Sequence, residues 1–325
     1  MRDAHFDENS TAQDVLSDVD LHGRRFLVTG VSAGLGVETA RALVARGAAV
    51  VGAARDLDKA RSATAAVDDA ARLSGGRFTL VACDLASLGS VRACSDELMR
   101  QNESFDGLIA NAGVMATPFG RTANGFETQF GVNHLGHFVL VNRIASLLRT
   151  DGRLVVLSSA GHRFSDVDLD DPNFERTAYD PWQAYGRSKT ANILFAAAFD
   201  ARHRSRGARA VAVHPGAIAD TELSRHIGAT AIAAMARTFD EQLKAAGKPG
   251  FRFKTIPQGA ATTVWAAVVA PAQQVGGNYC EDCHVAEPSS DPKVRGGVQP
   301  YALDPVRADA LWRRSEELVG EAFGR

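Results

Sequence analysis

Short apolar runs alternate with stretches of helical period along most of this chain. Arg25–Thr29 (RFLVT) is a compact apolar run, and behind it Val37, Ala40, Leu43 and Val44 recur at spacings of three and four. That pattern predicts a strand followed by an amphipathic helix. Further strands are predicted over Ala49–Ala54, 78–83, 107–111, 153–157, 210–214 and finally 276–279. Helices are predicted over 125–148, from Pro181 onward, over 221–246, and as an amphipathic tail from Asp304. No internal repeat, low-complexity tract or linker interrupts the series, which predicts a single domain over 21–285. A polar extension precedes it at 1–20, and an extension with a helix follows at 286–325. The segment 221–255 reads as a lid over a site, with Gly247 and Gly250 around Pro249 at its exit. The polar stretch between Ser159 and Tyr185 reads as a loop at the mouth of that site.

Composition narrows the class without naming it. The chain has 325 residues, 45% hydrophobic and 23% charged, with a net charge of -2. That is a globular composition with no electrostatic footprint for nucleic acid or an anionic membrane. Residues 1–20 are polar and acidic, and the longest apolar stretches are too short to span a bilayer. A cytoplasmic location is expected. Only six of the 36 basic residues are Lys and Ala is abundant, which points to a GC-rich bacterial genome. The four cysteines are too few for a disulfide framework at this length.

The first strand runs into Gly30-Val31-Ser32-Ala33-Gly34-Leu35-Gly36 and then into a helix. A glycine turn at that place lays a pyrophosphate on a helix N-terminus, where N–H groups and the dipole favour negative charge. The second strand ends at Ala54-Arg55-Asp56. An acidic residue would accept from a ribose 2′-hydroxyl there, but Ala54 holds the position and Arg55 follows. The expectation is therefore NADP(H), with Arg55 on the 2′-phosphate and NAD(H) still possible. In the blander alternative Arg55 is a solvated strand end, with Asp56 as N-cap of the next helix. Asp84-Leu85 closes the third strand where an adenine edge is within reach, and Asn111-Ala112-Gly113 turns at the end of the fourth.

Tyr185 and Lys189 lie one helical turn apart on one face. A phenol ionises near 10, and an adjacent ammonium favours the phenolate, so the pair is a plausible acid–base device. His134 and His137 lie three apart, but no third ligand is evident and they read as core or surface histidines. Cys280-Glu281-Asp282-Cys283-His284 lacks the second pair that a structural zinc site needs, so no metal is expected.

Taken together these motifs resemble the short-chain dehydrogenase/reductase family over roughly residues 20–285. The residues carrying the match are Thr29 to Gly36, Asp84-Leu85, Asn111-Ala112-Gly113, Asn133, Ser158-Ser159, Tyr185 with Lys189, and Pro215-Gly216. Asn133-His134-Leu135-Gly136-His137-Phe138 and Tyr185 to Phe195 look most like the retinol dehydrogenase and WW-domain oxidoreductase branch. The resemblance implies a single doubly wound Rossmann domain of α/β class, with a parallel sheet of about seven strands and helices on both faces. It implies that Ser159 polarises a substrate carbonyl and that Tyr185 is general acid in reduction and general base in oxidation. Lys189 would bind the nicotinamide ribose and depress the phenol, and Asn133 would order a proton-relay water. Ser158 would support the turn. Gly30, Ser32, Gly34, Leu35 and Gly36 would hold the dinucleotide with Asn111, Ala112 and Gly113, and Pro215, Gly216, Ile218 and Thr221 would meet its nicotinamide end. One extra residue separates Pro215-Gly216 from Thr221 and puts the role of that threonine in question.

The expected function is NADP(H)-dependent interconversion of an alcohol with an aldehyde or ketone. Leu223, Ile227, Ile232, Met235 and Phe239 recur at helical spacing in the lid, and if they face the site the substrate is lipophilic. The alternatives are an NAD-dependent alcohol dehydrogenase of the same fold, a dinucleotide-sensing protein without catalysis, and a light-dependent double-bond reductase. Partners are a small-molecule alcohol or carbonyl, with neither nucleic acid nor membrane, and a homo-oligomer through the helices of Asn133 and Tyr185 unless the C-terminal tail covers that face.

Overall fold

The structure, a computed structural model, describes residues 6–324 apart from 220, 226, 246, 248–249 and 292–295. Ala246 and Pro249, which the sequence reading places at the exit of the lid, lie outside the described residues.

Eight strands form one sheet in the order β3-β2-β1-β4-β5-β6-β7-β8. They are β1 (Arg25–Thr29), β2 (Ala49–Ala54), β3 (Arg77–Ala82), β4 (Phe105–Ala110), β5 (Leu148–Leu157), β6 (Arg209–His214), β7 (Tyr279–Glu281) and β8 (His284–Val285). Neighbouring pairs from β3 through β7 are all parallel, and only β7–β8 is antiparallel. The order reverses between β1 and β4, and a crevice opens at the carboxyl ends of strands on either side of such a reversal.

The helices that build the site are α1 (Gly34–Val44), α2 (Leu57–Ala63), α3 (Leu88–Gln101), α4 (Gly136–Arg143), α5 (Pro181–His203), α6 (Ala229–Ala245), α7 (Ile256–Val264) and α8 (Pro305–Val319). One face of the sheet packs Leu108 and Leu154 against Phe138, Phe195 and Trp312. The other packs Phe26, Val28 and Val155 against Leu43, Val264 and Trp265. The sheet is therefore covered on both sides, as its near-continuous apolar strands require.

Several local expectations change, among them the start of β5, which is Leu148 and not 153. The helix drawn over 125–148 starts at Thr128, because the Glu127 carboxylate accepts from the N–H groups of Gln129 and Phe130 and caps it there. It passes through a π-helical turn at Gly131–Leu135 before becoming α4. The lid splits into a 3-10 turn, Glu222–Ser224, and α6. The last parallel strand begins at Tyr279 rather than at 276, because Gly277 turns with φ +78 and Asn278 caps that turn on Val275. Cys280 to His284 is a hairpin whose turn residues Asp282 and Cys283 both have positive φ (48 and 59). That is the geometry of a tight two-residue connection, here without glycine.

The C-terminal extension lies along α4 and α5. Trp312 stacks edge-on to Phe138 at 5.1 Å, His134 Nε2 bonds Ser315 Oγ at 2.8 Å, and Glu321 pairs with both Arg92 and Arg143.

Candidate active site

One cavity of about 1540 Å³ runs along the carboxyl ends of the parallel strands. Every residue that the sequence singled out for the site lines it, except Asn133.

At one end the glycine turn closes so tightly that side chains are excluded. A Cβ on Gly36 would lie 2.2 Å from the Gly30 carbonyl oxygen, and one on Gly30, where φ is +77, would lie 2.8 Å from Ala112 Cα. Helix α1 then starts behind Ala33, which offers no capping side chain. By contrast α3, α5 and α8 are capped by Ser87, Asp180 and Asp304. The first N–H groups of α1 thus meet the cavity without a side-chain acceptor, which suits an anionic ligand. Asn111 braces the turn from β4 by donating from Nδ2 to the Thr29 carbonyl at 2.8 Å.

Arg55 is exposed at the end of β2 and has no hydrogen bond or ion pair among the described residues. Asp56 is occupied as the N-cap of α2, accepting from Asp58 and Lys59 N–H at 3.1 and 3.0 Å. Lys59 Nζ reaches across to both carboxylate oxygens of Glu222 at 2.8 Å. Sequence reading missed this pair, whose members are 163 residues apart and carry no local signal. Next to it Thr221 stands 3.7 Å from the Cβ position of Gly34, so the extra residue after Gly216 leaves this threonine at the cavity wall.

At the other end, Asp180 caps α5 by accepting from Gln183 N–H at 2.7 Å, and this helix presents Tyr185 and Lys189. A Cβ on Gly161 would overlap the Tyr185 ring at 2.6 Å, so the phenol packs directly against a glycine. Ser159 ends β5. Its Oγ accepts from Gly161 N–H at 3.0 Å, and its hydroxyl and the Tyr185 ring lie side by side against Gly161. Ser158 turns away and donates to the Lys189 carbonyl at 2.8 Å. Lys189 Nζ donates to the Leu157 carbonyl at 3.1 Å and lies 5.7 Å from the centre of the Tyr185 ring.

The electrostatics differ from the sequence expectation. Burial pushes the Tyr185 phenol up to about 12, opposed only by the neighbouring Ser159 hydroxyl, so the proton is held at neutral pH. Burial also pushes Lys189 down to about 8. With both groups fully desolvated, the penalty on each charged form outweighs any mutual stabilisation.

Asn133 does not open on the cavity. Its Oδ1 accepts from Val114 N–H at 2.8 Å, and its Nδ2 donates to the Val114 carbonyl and to Ser188 Oγ, both at 2.9 Å. Its amide is spent on holding the Gly113–Val114 turn against α5. The backbone carbonyl of Asn133 is taken by His137 Nδ1 at 3.0 Å. His134 and His137 are both fully buried, and burial holds them near 3 and 4.

The five lid residues Leu223, Ile227, Ile232, Met235 and Phe239 all line the cavity, as do Met115, Phe164 and Trp182. Polar groups that the sequence did not mark sit around the 215–221 loop: His214 at the end of β6, and Lys254, which pairs with Asp282. All four cysteines are buried and none forms a disulfide.

The short chain dehydrogenase family model matches residues 24–231. A short-chain dehydrogenase/reductase of Penicillium roqueforti, prx1, is 37% identical over 327 residues, spanning 96% of this chain and 91% of that one. Mouse retinol dehydrogenase 14 is 36% identical over 310 residues, spanning 92% and 87%. A short chain dehydrogenase from Burkholderia cenocepacia, solved in complex with NADP, superposes with a TM-score of 0.61 at 25% identity, over 81% of this chain and 98% of that one. With a parallel sheet reversing at β1/β4 and a tyrosine, lysine and serine meeting above it, the chain belongs to the short-chain dehydrogenase/reductase family, oxidoreductases that act between CH–OH and C=O groups with a nicotinamide dinucleotide.

Proposed function

We propose that this protein reduces a lipophilic aldehyde or ketone with NADPH, and catalyses the reverse oxidation, with Tyr185 as the proton donor and acceptor. The observation that carries this reading is the buried Tyr185 phenol, set beside Ser159 at the wall of a cavity whose far end holds an uncapped helix and the unpartnered Arg55.

The bound dinucleotide supplies the hydride. Ser32, Gly34, Leu35 and Gly36 would hold its pyrophosphate through the first turn of α1, and Arg55 its 2′-phosphate. Asp84 and Leu85 would border the adenine, and Asn111, Ala112, Gly113 and Lys189 the riboses. Pro215, Gly216, Ile218 and Thr221 would bound the nicotinamide. Ser159 Oγ orients the substrate oxygen, and Tyr185 Oη gives that oxygen its proton. A phenol near 12 keeps its proton at neutral pH, which favours the acid role. The NADP-bound Burkholderia structure supports the cofactor choice, and the apolar lining from the lid supports a lipophilic substrate. Asn133 acts by bracing the turn at Gly113, with its amide already committed. No helix among the described residues is long and apolar enough to cross a membrane.

The test is Tyr185→Phe. We expect dinucleotide binding to survive, read by nicotinamide fluorescence, while turnover falls by at least about a hundredfold. Turnover close to that of the wild type would remove Tyr185 from the mechanism.

A further inference from the structure

The peptide joining Ser159 to Ala160 is held at both of its polar atoms by an imidazole. His162 Nδ1 lies 2.7 Å from the Ser159 carbonyl oxygen, and the Ala160 N–H donates to His214 Nδ1 at 3.3 Å. The surroundings decide where each ring carries its proton. Gln299 N–H donates to His162 Nε2 at 3.1 Å, so that nitrogen accepts and the proton sits on Nδ1, where it is donated to Ser159. His214 has the opposite arrangement, because its Nδ1 accepts. Burial holds both rings at about 4, so both are neutral around pH 7.

His162 joins further elements. Its carbonyl accepts from Thr190 Oγ1 at 3.1 Å and from Tyr301 Oη at 2.7 Å. Thr190 follows Lys189 on α5, while Gln299 and Tyr301 belong to the C-terminal extension. The ring itself packs on Tyr279 of β7 at 5.0 Å. Ser159 is extended, with φ −168 and ψ 156, and turning its ψ would swing this peptide and move Oγ relative to Tyr185. The paired imidazoles oppose that rotation.

We infer that His162 is a positioning residue for Ser159: together with His214 it clamps the Ser159–Ala160 peptide, aims Ser159 Oγ at Tyr185, and makes the C-terminal extension part of the reactive centre. The inference rests on the roles proposed for Ser159 and Tyr185.

The experiment compares His162→Phe, which keeps a ring without polar atoms, with His162→Asn, whose amide restores a donor towards Ser159. Decanal and benzil serve as probe carbonyls with NADPH. His162→Phe is expected to lose roughly a hundredfold in kcat, with KM and dinucleotide affinity nearly unchanged, and His162→Asn to regain most of it. In a Ser159→Ala background the same His162→Phe change should cost little more, since it acts through the serine. Tyr301→Phe deletes only the hydroxyl that donates to the His162 carbonyl at 2.7 Å, and should lower kcat while leaving dinucleotide affinity nearly unchanged. It keeps the question open to measurement if His162→Phe does not fold. A readout independent of turnover is the isotope-labelled ring resonance of Tyr185, assigned by its loss in Tyr185→Phe. In His162→Phe it should move towards its position in Ser159→Ala. If the wild type reduces neither probe, the proposed function fails, and the resonance still decides the clamp. Unchanged kcat and resonance in folded His162→Phe, or a full multiplicative loss on top of Ser159→Ala, would overturn the inference.

Discussion

Thr29 Oγ1 and His137 Nε2 share a 2.9 Å hydrogen bond across 108 residues of sequence. The threonine hydroxyl already accepts from the N–H groups of Asn111 and Ala112, each at 3.0 Å, so its one proton goes to the histidine. His137 therefore carries its own proton on Nδ1 and donates it to the Asn133 carbonyl. One neutral ring thus joins the end of β1, the turn after β4 and the π-helical turn that holds Asn133.

Replacing that ring should be costly. His137→Leu leaves the Thr29 hydroxyl and the Asn133 carbonyl without their partner in a site closed to water. Each such orphan costs roughly 1–3 kcal/mol. Urea denaturation should show a loss of that order with an unchanged m-value, and an unaltered midpoint would show that the site relaxes around the loss.

Three fully buried histidines, with His214 half-buried at the cavity wall, give the fold a pH dependence of definite sign. Burial holds His134 near 3 and His137, His162 and His214 near 4, against about 6.5 in an unfolded chain. Between those values the unfolded chain binds the extra protons, so stability is fully present above about 6.5 and declines as pH falls towards 4. Each histidine contributes a slope of up to about 1.4 kcal/mol per pH unit in that window. Melting temperatures taken from pH 7 to 5 should therefore fall, and a flat profile would mean that these rings are hydrated.

Arg55 is predicted to discriminate between cofactors. Arg55→Ala should weaken NADPH binding by about tenfold or more, the value of one charge-assisted contact to a phosphate, and leave NADH binding nearly as it was. Equal weakening of both, measured by nicotinamide fluorescence titration, would place the guanidinium away from the 2′-phosphate.

Trp312 is 3% exposed and anchors the C-terminal helix on Phe138 and Phe195. Trp312→Ala should cost about 3–5 kcal/mol, the usual range for a buried aromatic cut to alanine. It should also uncover apolar surface of α4 and α5. Sedimentation velocity should then detect association that the wild type lacks at the same concentration, and an unchanged profile would mean that α8 stays docked.

How far the sequence could be read depended on whether a feature is local. The alternation of apolar runs locates β2 to the residue, and Asp180-Pro181 marks the start of α5, because strand and cap signals lie within a few positions. The glycine turn and Tyr185 with Lys189 were legible for the same reason. The hairpin at Asp282-Cys283 was not, since positive φ at two non-glycine residues leaves no compositional trace. Neither was the closed state of Asn133, whose partners Val114 and Ser188 come from other elements. Lys59 with Glu222, and the two imidazoles on the Ser159–Ala160 peptide, arise only when distant segments meet. The raised phenol of Tyr185 follows from burial depth, which spacing along a helix does not convey.

The attachment of Gln299 and Tyr301 to His162 also has a meaning in time. A ribosome releases Ser159, Tyr185 and Lys189 well before the chain segment that steadies them, for Gln299 lies 137 residues after His162. Domains begin to fold during synthesis, amino end first. The nascent sheet and its glycine turn can therefore form while the serine is still loosely held. Competence arrives late, with the C-terminal extension.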